Sequence, residues 1–206
     1  MIQRSPQWFA ARSGKITASR FGDVLAAPTT KRYQYYLTEL VSELSGAPAM
    51  EDNKPWFQHG RDLEPIALSR YEFEMSLTGQ NLDVDKMGFV LHPEHKFIGC
   101  SPDGEIGLLK GLEIKSSISH KAYLKMAKRG LPSNHVPQVQ GQLWICGYNS
   151  IDFVLFFHDP DGRLEDEITI TNVLPDLEYH KKLETKCLEF WEKAQEQVHM
   201  YEWEPS

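Results

Sequence analysis

Apolar positions recur along this chain with two periods, and the places where one gives way to the other outline its architecture. Over 31–45, Tyr33, Tyr36, Leu37, Leu40, Val41 and Leu44 are three to four residues apart, predicting a helix with one buried stripe that ends at Gly46. Ser5 followed by Pro6 is an N-cap with the residue best suited to a first turn, so a short helix is expected to about Arg12, with Gly14 as its stop. Thr17 or Ser19 is placed to cap a second helix running to about Ala26. Residues 55–75 read as helical, with Gly60 and Pro65 offering a break into two pieces. A period of two then predicts strands at 79–84, 87–91, 97–100, 105–109 and 111–116. Helices at 119–129 and 135–147, strands at 151–157 and 165–171, and a long amphipathic helix from about 175 to 200 complete the chain. This order predicts an α/β fold, a central mixed β-sheet flanked by helices, as a single domain over 1–206.

The strand at 111–116 carries the candidate chemistry. After Gly111, alternation puts Leu112 and Ile114 on one face and Glu113 and Lys115 on the other, with Asp103 ten residues before Glu113. Two carboxylates suit a hard divalent cation such as Mg²⁺, which prefers oxygen ligands and is usually held by one or two carboxylates plus substrate phosphate. A lysine on the same face can offset charge developing on a phosphorane, so the set points to phosphodiester cleavage. Competing copies exist. Glu94-His95-Lys96 lies in a Pro-led polar turn, Glu184-Thr185-Lys186 lies in an amphipathic helix, and Pro160-Asp161-Gly162 repeats Pro102-Asp103-Gly104 between two strands. Only the triplet at 113 alternates with apolar residues, yet spacing alone leaves both a metal site and an ordinary turn and strand standing.

Composition narrows the class without deciding it. The three cysteines, Cys100, Cys146 and Cys187, are far apart and lack a Cys-x-x-Cys spacing, which argues against a disulfide framework and a zinc site. The eight histidines form no His-x-x-x-His or comparable pair on an expected helix, so zinc is not indicated. No run of eighteen apolar residues or signal-peptide core is present, so a cytoplasmic protein is expected. The net charge of −7 is unevenly distributed. Residues 1–22 (Arg4, Arg12, Lys15, Arg20) and 114–151 (Lys115, Lys121, Lys125, Lys128, Arg129) contain no acid, whereas 159–206 hold thirteen acids against five Lys and Arg. The two acid-free segments read either as an electropositive groove for phosphates or as solvated helix faces.

Taken in order, Trp8, Arg12, Ile16-Thr17-Ala18-Ser19, Glu64, Ser101-Pro102-Asp103-Gly104, Leu112-Glu113-Ile114-Lys115 and Gln138-Val139-Gln140 resemble the phage lambda alkaline exonuclease and viral recombinase family, of the restriction-endonuclease-like superfamily. The resemblance spans residue 8 to about 148. It implies that Asp103, Glu113 and the Ile114 backbone carbonyl hold metal, that Lys115 is the catalytic lysine, and that Glu64 lies near a second ion. Gln138 would line the active site, and Arg12, Ser19 and Ser101 would bind the 5′-phosphate of the degraded strand. His135 departs from the family pattern and carries no role, while Trp56 and Phe57 stand where relatives place a duplex-melting wedge, core packing being the alternative. The activity implied is a Mg²⁺-dependent 5′-to-3′ exodeoxyribonuclease, with Mn²⁺ able to substitute and two ions per site. It would act on double-stranded DNA ends, release mononucleotides and leave a 3′ single strand for recombination with a single-strand annealing protein. The family also implies a homo-oligomer, a ring of three. An endonuclease of the same superfamily and a non-catalytic end-binding module are the alternatives.

Overall fold

The computed structural model describes residues 2–48 and 55–202, except for the side chains of 55–59, 61 and 200–202. Helix α1 (Pro6–Arg12) starts where the Ser-Pro pair predicts, with Ser5 Oγ accepting from the Trp8 N–H at 3.2 Å. The helix expected from Thr17 or Ser19 to Ala26 does not form as one element. Ile16 and Thr17 instead make strand β1 (Ile16–Thr17), paired in parallel with Ile98 and Gly99, followed by a 3₁₀ turn (Ala18–Arg20) and one turn of helix, α2 (Phe21–Val24). Partners eighty residues away thus override the local capping signal. Helix α3 (Lys31–Leu44) buries the predicted stripe. Helix α4 (Pro55–Leu77) runs unbroken through Pro65, which is exposed, while Leu63, Ala67 and Tyr71 are buried.

Two sheets form where one was expected. Strands β1, β4 (Ile98–Cys100) and β3 (Val90–Leu91) make a small sheet in the order β1-β4-β3. The central mixed sheet has the order β2-β5-β6-β7-β8, from β2 (Val84–Asp85), β5 (Gly104–Ile106), β6 (Lys110–Ser117), β7 (Ser150–Phe157) and β8 (Glu167–Val173). Its spine is the parallel pair β6–β7, and every other pairing in it is antiparallel. The predicted strands at 79–84 and 87–91 shrink to two residues each.

Alternation along β6 and β7 sorts the core. Leu112, Ile114, Val154 and Phe156 pack against Ala67 and Tyr71 of α4. Phe153, Leu155 and Phe157 pack on the other face against Tyr123 of α5 (His120–Ala127) and Val139 and Leu143 of α6 (Val136–Cys146). The last helix, α7 (Leu177–Glu202), buries Leu183, Cys187, Phe190 and Ala194 beside α3 and the small sheet, with the Tyr36 and Phe190 rings stacked at 5.2 Å. Helix α6 sits so close to α2 that a Cβ on Gly141 would fall 2.4 Å from the Phe21 ring, and glycine is what permits the approach. All three cysteines are free thiols. Among the described residues, no helix is long and apolar enough to cross a membrane.

Candidate active site

The turn before β5 brings Asp103 alongside β6. The Asp103 N–H donates to the Leu112 carbonyl at 3.0 Å, and its Oδ2 accepts from the Ile114 N–H at 2.7 Å. Pairing of β5 with β6 ends at Gly104–Leu112, so the Asp103 side chain continues the ladder by one step. Within an extended strand a residue's N–H and C=O point to the same edge, which directs the Ile114 carbonyl to the side occupied by Asp103.

Glu113 projects to the opposite face of the sheet from Ile114 and is 1% exposed. A buried carboxylate needs donors, and this one has three. Oε1 accepts from Gln138 Nε2 at 2.6 Å and from Lys115 Nζ, and Oε2 accepts from Gln142 Nε2 at 2.6 Å. Gln138 and Gln142 are one turn apart on α6 and form a clamp on Glu113. Gln142 was not identified from the sequence. Its i,i+4 spacing from Gln138 is the signal, and the Gln-Val-Gln pair obscured it, because Gln140 is turned away to bond His180, the Asp176 N–H and the Leu174 carbonyl.

Burial, then repulsion from Glu113, raises the Asp103 carboxyl well above its ordinary range. Burial alone would lower the Lys115 ammonium, but Glu113 and Asp103 outweigh it and hold its pKa above the usual value. One buried and one half-buried carboxylate that repel each other, an adjacent backbone carbonyl and all-oxygen chemistry fit a hard divalent cation, although among the described residues no three His, Cys, Asp or Glu side chains form a ready cluster. Glu64 pairs with Arg4 at 3.2 Å, and its charge acts on both Asp103 and Lys115, so α4 brings a third carboxylate towards the pair.

A second group of residues is organised by Trp8. Its Nε1 donates to Ser101 Oγ at 2.9 Å, and the Arg12 guanidinium lies 4.2 Å over its ring and 5.8 Å from the Phe89 ring. Arg12 and Ser101 therefore meet at one indole, two residues before Asp103. Burial lowers the Arg12 pKa, and among the described residues it forms no ion pair with a carboxylate. Ser19 is exposed and its hydroxyl lies 3.3 Å from Thr17 Oγ1; no direct bond joins it to Arg12 or Ser101 among the described residues. Elsewhere the first acid-free segment is not a free basic stretch, since Arg4 pairs with Glu64 and Arg20 with Asp23 and Glu39.

His135 precedes α6 and packs on Phe153 at 5.4 Å; burial, then the Lys115 charge, lowers its pKa to about 4, so it stands as a neutral imidazole near the site. The side chains of Trp56 and Phe57 lie outside the described residues. The competing motifs are structural. Glu94–Lys96 is turn, Glu184 bonds His95 from α7, and Asp161 sits in the β7–β8 turn.

The family described as a YqaJ-like viral recombinase domain matches residues 7–149. An uncharacterized protein of Acanthamoeba polyphaga mimivirus is 28% identical over 200 residues, which cover 90% of this chain and 35% of that protein. The chain thus spans about a third of the length of this curated relative. An alkaline exonuclease from Laribacter hongkongensis superposes with a TM-score of 0.81 at 29% identity, and its complex with dAMP with 0.82 at 31%, each covering 96% of both chains. A phage-related exonuclease from Haemophilus somnus shares the fold, with a TM-score of 0.62 at 19% identity over 91% of this chain and 94% of its own. The architecture is that of the restriction-endonuclease-like fold.

Proposed function

The chain belongs to the YqaJ-like viral recombinase family, and from that footing we propose that it is a Mg²⁺-dependent exodeoxyribonuclease that degrades one strand of duplex DNA from a 5′-phosphorylated end. Exodeoxyribonuclease activity rests on the family and on the full-length likeness to an alkaline exonuclease. The observation that carries the residue assignment is the buried Glu113, clamped by Lys115, Gln138 and Gln142 beside Asp103.

Asp103, Glu113 and the Ile114 carbonyl would hold a divalent metal, with Glu64 towards a second ion, and such a metal would supply Lewis-acid activation of the phosphodiester and of water. Mn²⁺ is expected to substitute. Lys115 places its ammonium against the charge that develops on the phosphorane, where a fixed charge out of bulk water acts strongly. Gln138 and Gln142 fix the orientation of the Glu113 carboxylate, which would otherwise be free to rotate away from a bound cation. Arg12 is desolvated, stacked on Trp8 and, among the described residues, paired with no carboxylate, which suits it to receive a terminal phosphate through parallel hydrogen bonds, with Ser101 and Ser19 adding hydroxyl donors. A phosphate anchored there would set the cut one nucleotide inward and release mononucleotides, in keeping with the dAMP complex of the Laribacter enzyme. The remaining 3′ single strand, an annealing-protein partner, a ring of three copies and one nuclease domain over 1–206 complete the proposal.

The decisive assay uses linear duplex labelled separately at its 5′ and 3′ ends. Mg²⁺-dependent release of 5′ label as mononucleotide, ahead of 3′ label, is expected; 3′ label released first would overturn the polarity, and rapid cutting of closed circles would overturn the exonuclease reading. Lys115→Ala is expected to lower cleavage roughly a hundred- to thousandfold while DNA binding in chelator stays within a few-fold.

A further inference from the structure

Helix α5 presents a basic face that the catalytic assignment does not use. Strand β6 runs from Lys115 into α5 through residues 118–119, and the helix is capped by Ser119. One side is anchored, with Tyr123 buried against Phe157 and its hydroxyl 2.8 Å from Thr169 Oγ1. The other side lines an open groove of about 560 Å³, formed by His120, Lys121, Leu124, Lys125, Lys128 and Arg129. Lys121, Lys125 and Lys128 fall on one stripe at i, i+4 and i+7 and are exposed.

Many basic side chains elsewhere in the chain are neutralised. Arg4, Arg20, Arg32, Arg70, Lys110, Arg163, Lys181 and Lys186 all pair with carboxylates. None of the four cations of this groove does so among the described residues, on a chain whose net charge is −7. Like charges along one helix face disfavour one another modestly, and a polyanion lying along the face offsets them. The floor between them is not polar, because Leu124, 40% exposed, lies among the cations. Paired bases offer nothing to such a floor, whereas an unpaired strand can lay base faces on apolar and aromatic side chains while its phosphates meet the lysines.

We propose that the outer face of α5 is a track for single-stranded DNA, and that in the nuclease reading, on which this role rests, it receives the strand left undegraded as it separates from its partner at the site. Binding requires no cleavage, so it is measured in chelator, with fluorescent oligothymidylate and a blunt duplex of equal length titrated across salt concentrations. Replacing Lys121, Lys125 and Lys128 together with Gln is expected to weaken oligothymidylate binding more than tenfold at moderate salt. It should also flatten the slope of log affinity against log salt by about 2, three phosphate contacts at about 0.7 each. Leu124→Ala should weaken it a few-fold without changing that slope. The substituted side chains are exposed, and circular dichroism checks that the fold persists. Unchanged oligothymidylate affinity in the triple variant would overturn the track, and so would an equal loss for the duplex, which would make the face a general DNA contact. The two readings fail separately. A chain that releases no nucleotides but binds oligothymidylate through α5 loses the nuclease assignment and keeps the track, and full exonuclease activity with α5-independent oligothymidylate binding does the reverse.

Discussion

Glu113 takes its charge-stabilising donors from two directions, the neighbouring Lys115 on its own strand and the α6 amides of Gln138 and Gln142. Gln142 is the one donor to Oε2 among the described residues, so removing it leaves that buried oxygen without a partner, and groups supporting a metal ligand typically contribute ten- to hundredfold in metal affinity or activity. Gln142→Leu is therefore expected to raise the Mg²⁺ concentration for half-maximal activity by roughly that factor, with a matching loss in calorimetric metal affinity; an unchanged metal requirement would show that the second amide is only packing. Arg12→Ala should remove the preference for 5′-phosphorylated over 5′-hydroxyl ends, about a tenfold or greater effect for a charge-assisted phosphate contact, read from initial rates on the two substrates. Equal preference in the variant and the parent would remove Arg12 from the pocket. At this scale much was legible. Asp103, Glu113 and Lys115 followed from residue type and strand parity, because alternation is fixed by backbone geometry. Gln142 did not, because its partner lies 29 residues away on another element and only packing reveals which way an amide turns.

Among the elements, α6 matters most to the site, since it carries both amides, and its position depends on Gly141 meeting Phe21. Alanine there gains about 1 kcal/mol of helix propensity, but a Cβ 2.4 Å from a ring forces a shift that costs about 1–3 kcal/mol or more. Gly141→Ala is expected to lower the urea midpoint, with part of the loss recovered when Phe21→Leu is added; no recovery would mean that the strain lies elsewhere. Helix spans were readable because an amphipathic stripe is a property of consecutive residues, as in α1, α3 and α7. Where the reading failed, at 17–26 and 79–91, the deciding contact was distant: Ile16 pairs with Ile98, and β2 lies at the edge of its sheet, paired with β5.

At the scale of the whole molecule, three apolar clusters hold the sheet, its two helical faces and the α3–α7 pair together. His92 joins the small sheet to α6 as a buried neutral acceptor, its Nδ1 receiving the N–H groups of Glu94 and His95 at 3.2 and 3.0 Å and its ring lying 4.4 Å from Trp144. Burial, then the charge of His95, lowers its pKa below the ordinary 6.5. As pH falls below about 6.5, the unfolded chain binds a proton that the folded chain refuses, so this group leaves stability unchanged above that pH and reduces it progressively below. The melting temperature should therefore decline from pH 7 towards 5, and more gently in His92→Asn, whose amide oxygen accepts without titrating; parallel declines would exclude His92 as a source.

The sequence alone determined the element types, the parity that puts Glu113 and Lys115 on one face, and the family resemblance, because each is written in residues close together along the chain. The tertiary structure decided which donors close around Glu113, that Arg12 and Ser101 meet at Trp8, that α7 serves the core, and that Lys121, Lys125 and Lys128 share one face with no acid paired to them among the described residues. Those outcomes depend on register and packing between segments tens of residues apart, where the free energy of a contact belongs to two elements at once and neither segment's pattern contains it.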